Sequence, residues 1–452
     1  MNLRPATIIA LGAALLGAGL VACSAVLGFE PLTLDDGTTL ANEGGAPDGS
    51  VLPSEADALP AAENSDAADA AREAGDAKTP SCGDTAADPK NCGACGHDCL
   101  GGACDKGTCQ AAKLADGLAI PQGIAVNDGS VFVAEYDSNR ILKFDKTQVP
   151  SACTTVPTPP QCVFTEDQAN VFKPRAMAVD GTTVYWANGG GGAAHEIRSC
   201  PRGGCGGAGA TRIATLASDA FGHIFGSDPL PLRLVLRGDR IYWSESNSGA
   251  IRSAQLDGGA PRTLLESSNF APVAIAVDDT SVYFTDDTNQ HPTRIQSVPL
   301  DGGGASGLNV KIISSTPARP FGIALTETGG LFWTIQRIGG VGDGLVQAAD
   351  RAGFPDGGSP AGAFAATQIE PGDIIVDEKN VYWIDAGDDN AATGIIVYCK
   401  LTGCPTTGPI VLAQQQRHPG HLAQDASALY WSNTGLLSST TYDGQVWKIA
   451  KP

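Results

Sequence analysis

PRAMAVDGTTVYWAN (residues 174–188) is two short apolar runs around a polar turn, ending on a Tyr–Trp pair and Asn188. Each run has the length of a strand, and Val, Tyr and Trp suit a pleated, half-buried surface. The pattern returns six more times. PQGIAVNDGSVFVAE begins at Pro121, PLRLVLRGDRIYWSE at Pro231 and PVAIAVDDTSVYFTD at Pro272. PFGIALTETGGLFWTI follows at Pro320, PGDIIVDEKNVYWID at Pro371 and PGHLAQDASALYWSN at Pro419. The aromatic anchors Phe132, Tyr185, Tyr242, Tyr283, Phe332, Tyr382 and Tyr430 fall 41 to 57 residues apart. Beyond each anchor lies a third strand such as GAIRSAQ (249–255), then a turn, then a fourth such as RTLLES (262–267). Four antiparallel strands in a repeat of this length make one blade of a β-propeller, so seven copies predict seven blades.

A solenoid could also be built from such repeats, but it would need capping ends. This chain carries a closing device instead. KLADGLAIPQG (113–123) has the form of a last strand and linker, as in IVLAQQQRHPG (410–420). The first strand of the domain is therefore expected to complete a blade whose other three strands come from the C-terminus, ending in QVWKIAKP. Such closure leaves no open sheet edge. The expected fold class is all-β: a seven-bladed propeller of four-stranded antiparallel blades over residues 111–452.

Trp186, Trp243, Trp333, Trp383 and Trp431 occupy one place in successive repeats, beside Tyr185 and Tyr242 in theirs. Both faces of a blade pack on neighbours, so large aromatics here are read as framework rather than as a ligand site. IYWSESNSGAIRSAQLDGGAPRTLLES (241–267) resembles the YWTD repeat of lipoprotein-receptor propellers, and GIAVNDGSVFVAEYDSNRILKFD (123–145) resembles the NHL repeat. The receptor family has six blades. A seventh blade means that its binding surface does not carry over, and propellers share a fold more readily than a function.

The N-terminus speaks of export. MNLRPATIIALGAALLGAGLVAC has one charge, Arg4, before an apolar run and small residues. That is a secretory signal over residues 1–22, and Leu20-Val21-Ala22-Cys23 resembles the bacterial lipobox, which implies acylation of Cys23. Acyl chains hold a protein on a membrane without a spanning helix. Ser24 in place of an aspartate leans toward the outer membrane. Residues 23–80 form an acidic, Ala-rich tether: from Glu30 to Pro80 twelve Asp or Glu face only Arg72 and Lys78. Such a segment repels itself and buries little. The net charge of −20 argues against nucleic acid as a partner.

Thirteen cysteines suit an oxidising compartment. Cys82, Cys92, Cys95, Cys99, Cys104 and Cys109 crowd into a module over residues 81–110. Its core, DPKNCGACGHDC, resembles the cysteine-rich motif of stigma-specific proteins. Cys92, Cys95 and His97 have zinc-like spacing, but export favours disulfides, with the pairing open among fifteen options. Cys200 with Cys205, and Cys399 with Cys404, fall where other repeats place a plain hairpin turn, so each pair is expected to staple one. Cys153 and Cys162 are expected to close the loop between the first two blades.

Candidate chemistry is sparse. No G-x-S-x-G elbow is present, and the glycine-rich stretches 189–192 and 339–344 precede no helix that could hold phosphate, so no nucleotide cofactor is expected. His195, His223 and His291 fall in loops. His418 and His421, in HPGH, sit at a Pro-containing turn and are read as turn residues. Two residues past each anchor's neighbour stand Glu135, Asn188, Glu245, Asp286, Asp385 and Asn433, with Ile335 as the exception. Gluconolactonase-like and streptogramin-lyase-like propellers use such residues around the channel, and oxygens converging from several blades suit Ca²⁺. Glu135, Glu245 and the cluster Asp385, Asp388 and Asp389 are the metal candidates. Repetition in nearly every blade favours instead a hydrogen bond between blades, since a catalytic site breaks symmetry.

These signs favour a lipid-anchored envelope protein, not an enzyme, whose propeller binds a protein or glycan. An exported, Ca-dependent enzyme of the lactonase or lyase type is the second expectation, and a scaffold lipoprotein of outer-membrane assembly the third. A site is expected where the repeat breaks: the loops 146–172 and 187–196, or around Ile335.

Overall fold

The computed structural model describes residues 82–148, 162–167, 169–189, 195–206, 209–216, 233–246, 248–288, 293–302, 309–316, 319–336, 342–354, 358–388, 390–436, 439 and 442–452. Residues 1–22, Cys23, the tether to residue 80, Cys153, His223, His291 and Asp389 lie outside the described residues.

Seven four-stranded antiparallel sheets follow one another along the chain. Blade 1 spans Pro121–Thr165, blade 2 Pro174–Thr215, blade 3 Val235–Glu266 and blade 4 Pro272–Ser315. Blade 5 spans Pro320–Gln368 and blade 6 Pro371–Gln416. Blade 7 takes Pro419–Gln424, Ala428–Asn433 and Gly444–Ala450 from the C-terminus and Ala112–Leu118 as its outer strand. That last pairing, Ala112 opposite Lys448, closes the ring as the sequence predicts. The first strands of the blades contact one another in cyclic order, so they wall the central channel. Among the described residues no helix is long and apolar enough to cross a membrane.

Side-chain alternation along the second strand explains the Tyr–Trp pair. Neighbouring residues point to opposite faces of a sheet, so the tryptophan packs back on the preceding blade and the anchor packs forward on the next. Trp186 joins Phe132 of blade 1, Trp243 joins Tyr185, and Phe284 joins Tyr242. Trp333 joins Tyr283, Trp383 joins Phe332, and Trp431 joins Tyr382. At the closing interface Val133 meets Tyr430, the one place where the backward-facing residue is small. Each of the five tryptophans is no more than 2% exposed.

Turn chemistry is coupled to the anchor. Asp180, Asp278, Asp377 and Asp425 cap the turn after the first strand through one oxygen, and through the other accept the hydroxyl of Tyr185, Tyr283, Tyr382 or Tyr430 at 2.9–3.1 Å. Where the anchor is Phe132 or Phe332, with no hydroxyl to place, the capping residue is Asn127 or Thr326. Two residues past the anchor, four blades carry a hydroxyl to the next one: Ser244 donates to the Val273 carbonyl, Thr285 to Phe321, Thr334 to Gly372 and Ser432 to Gln122.

The described cysteines form disulfides. Cys82 pairs with Cys95, Cys92 with Cys104 and Cys99 with Cys109, which leaves no thiolate of the module for zinc. Cys92, Cys99 and Cys109 pack on Ala450, and the His97 ring lies against the carbonyls of Cys92 (2.7 Å) and Lys451 (3.1 Å). The module thus grips the strand that closes the ring. Cys200–Cys205 and Cys399–Cys404 each bridge the turn between third and fourth strands, and Cys162 is also disulfide-bonded.

Candidate functional site

In six blades the first strand opens Pro-x-x, and its pairing slips just after the proline; in blade 3 the first strand starts later, at Val235. Such bulges redirect side chains. At the third position the residue is small in four blades: Gly123, Ala176, Ala274 and Gly322. The reason is close approach, since a Cβ on Gly123 would lie 2.0 Å from the Arg175 carbonyl oxygen of the next blade. In blades 3, 6 and 7 the same position carries Arg233, Asp373 and His421. This is where the described repeat breaks its symmetry.

The three meet across the channel. Asp373, 6% exposed, receives Arg233 of the opposite wall on Oδ1 and the Leu422 amide on Oδ2 at 2.9 Å. His421 Nδ1 stands 3.9 Å from Asp373 Oδ2, beyond hydrogen-bonding reach. Side-chain exposures of 27% for Arg233 and 15% for His421 keep both open to a cavity of about 310 Å³. The other lining side chains are mostly aliphatic, Ile124, Met177, Leu234, Val235 and Leu422 among them, with Gln424 as a further polar group. Burial pushes the His421 imidazole down to about 4; Asp373 opposes this, while Arg233 and Arg175 add to it. At neutral pH the ring is uncharged. Just above, Arg175 and Lys173 flank the Tyr136 ring at 4.4 and 4.3 Å.

His421 was expected in a turn. It lies instead inside the first strand of blade 7, because Pro419 begins that strand rather than ending a loop. His418 is the turn residue, with a positive φ of 54° and its Nδ1 2.9 Å from Thr434 Oγ1.

The repeated carboxylates and amides serve the framework. Each holds the linker that enters its blade, its own third strand, or both. Glu135 accepts from the Ala119 amide (2.7 Å) and Arg140. Asp286 accepts from the Ala271 amide and Gln296, and Asp385 from the amides of Ile369 and Glu370. Asn188 accepts from the Phe172 amide. Glu245 takes Trp243 Nε1 at 2.9 Å, Ser248 and Arg252, and Asn433 donates to Gln416 and Gln445. These groups do not fit calcium: they stand in separate blades, and the carboxylate oxygens of Glu135, Glu245, Asp286 and Asp385 are engaged. Asp388 caps its own loop at the Asn390 amide. Among the described residues the only trio of ligand-type side chains within mutual reach is Cys92, Cys99 and Cys109, all in disulfides. Ile335, the exception, is fully buried, and in its blade Trp333 Nε1 has no hydrogen-bond partner. The loops expected to hold a site fall partly outside the described residues (149–161, 168 and 190–194).

Two repeat families match parts of the chain. The low-density lipoprotein receptor repeat class B model covers residues 239–278, and the NHL repeat model covers residues 118–144. No curated protein matches by sequence. Among solved structures, virginiamycin B lyase from Staphylococcus aureus is 16% identical, with 76% of this chain and 99% of that one covered and a TM-score of 0.48. A putative gluconolactonase is 10% identical, with 74% and 91% covered and a TM-score of 0.39. A chain of a nidogen/laminin complex is 17% identical, with 61% and 93% covered and a TM-score of 0.38.

Proposed function

We propose that this is a membrane-tethered binding protein, not an enzyme, exported and held at the outer envelope through a lipid on Cys23. Its propeller takes a protein or glycan at the end of the ring where the first strands begin. The observation that carries the reading is the division of polar groups. Repeat-wide carboxylates are consumed in holding linkers, while Arg233, Asp373 and His421 meet only in the channel, near that end. The connections between second and third strands run to this end, and they range from residues 136–139 in blade 1 to 434–443 in blade 7. At the opposite end the turns between first and second strands stay short, as in 127–129 and 425–427, whereas the connections between third and fourth strands, on the outer side of the ring, run as long as 146–162 and 351–364. Variable loops around a polar mouth on a rigid frame suit recognition.

Photo-crosslinkers placed at Asp388, on the mouth side, and at Asp128, on the opposite side, test this in intact cells of the source organism. A defined adduct from position 388 alone is expected; equal adducts from both positions, or none from 388, would contradict it. A stoichiometric envelope-protein adduct would select the scaffold form of the reading. Anchoring has its own test: Cys23→Ala should abolish labelling by palmitate and release the protein from membranes.

A lactonase- or lyase-type enzyme is the second reading, favoured by one observation: an uncharged His421 beside Asp373 and Arg233 has the parts of a general base with an electrostatic partner. Turnover of γ-lactones that His421→Ala abolishes would install it in place of binding.

A further inference from the structure

The geometry points to a ligand class for the channel: we propose that it binds a small carboxylate-bearing molecule with a compact apolar body, through Arg233 and His421. This deepens the binding reading and rests on it.

Arg233 spends its hydrogen bonds, among the described residues, on Asp373 alone. A guanidinium has five N–H groups in a planar fork, so donors remain on the side facing the cavity. His421 forms no hydrogen bond within the described protein, yet it lines the same cavity. A ring held uncharged keeps one N–H and one acceptor nitrogen. A carboxylate placed between them takes a charged donor on one oxygen and the imidazole N–H on the other. The apolar wall of Ile124, Met177, Leu234 and Val235 then receives the rest of the molecule. A volume of about 310 Å³ is at the small end for ligand pockets.

Charge narrows the choice. Asp373 offsets one of the two guanidiniums that act on His421, those of Arg233 and Arg175, so the cluster suits a single negative charge better than a phosphate dianion, which Asp373 would repel at close range. Asp373 is the internal occupant of the Arg233 fork. Its second oxygen stays on the Leu422 amide at 2.9 Å, so the carboxylate can yield Arg233 without leaving its own strand neighbour.

Calorimetric titration of the full-length protein with hexanoate, and with hexanamide as its uncharged counterpart, tests this. Hexanoate should bind roughly tenfold or more tightly than hexanamide, the range for a hydrogen bond to a charged group. Arg233→Gln should erase the difference. Asp373→Asn keeps an acceptor for the Leu422 amide but releases Arg233 and removes a repelling charge, so it should strengthen hexanoate binding. Melting curves identify any variant that is misfolded. Hexanoate that binds no tighter than hexanamide, or is indifferent to Arg233→Gln, overturns the proposal. So does a loss of affinity in a folded Asp373→Asn protein. If that happens while crosslinks at the channel mouth persist, the ligand class falls and the binding propeller stands.

Discussion

Single residues decide both the framework and the site. The hydroxyls of Tyr185, Tyr283, Tyr382 and Tyr430 bind the aspartates that cap their turns, and burial with that carboxylate pushes Tyr185 up to about 12. Blades 1 and 5 show the alternative, Phe with Asn127 or Thr326. Tyr430→Phe and Asp425→Asn should therefore be strongly non-additive. Each alone should cost about 1–3 kcal/mol, and the pair little more than either, in urea melts analysed as a double-mutant cycle. Two buried groups should shape stability against pH with opposite signs. Asp287 is raised to about 6 by burial, with Asp286 adding and Arg319 opposing. The folded state then holds a proton that the unfolded chain releases near pH 4, so stability falls as pH rises from about 4 to about 6. Asp287→Asn should remove that loss, roughly 3 kcal/mol at neutral pH. His421, lowered to about 4, acts the other way: stability falls as pH drops from about 6.5 to about 4, and His421→Asn should flatten that limb. The signal for the channel trio was present in the sequence, as one column reading Gly, Ala, Arg, Ala, Gly, Asp, His across the repeats. What a column does not carry is that Arg233 and Asp373, three blades apart, face each other across an axis.

At the scale of strands and linkers, the most legible features were those that repeat. The Tyr–Trp pair, its turn and the closing strand each follow from a pattern stated several times, so a single irregular copy does not obscure them. The linker clamp was legible only by position: Glu135, Asp286 and Asp385 repeat, but their partners are main-chain amides of Ala119, Ala271, Ile369 and Glu370, which no residue type advertises. In blade 5 an apolar residue, the fully buried Ile335, holds the place. Blade 3 cannot make that exchange, because Glu245 is fully buried against Arg252. Glu245→Ile should cost about 3 kcal/mol, and a loss well under 1 kcal/mol in a denaturant titration would show the clamp to be dispensable.

For the whole molecule, stability depends on joining the two ends of the domain. Ala112–Leu118 pairs with Gly444–Ala450, and the disulfide module sits against Ala450 and Lys451, next to that seam. Opening Cys99–Cys109 by double Ser substitution should cost about 2–4 kcal/mol and speed proteolysis of the blade-7 strands before those of blade 4. The account as a whole separates groups that repeat and hold the ring from groups that break the repeat and bind. Parallel hexanoate titration of Glu245→Gln and Arg233→Gln, each checked by melting, tests that separation most directly. Glu245→Gln should melt lower yet bind as the parent does, and Arg233→Gln should stay folded and lose binding. Full binding by Arg233→Gln, or its loss in a folded Glu245→Gln protein, would contradict it.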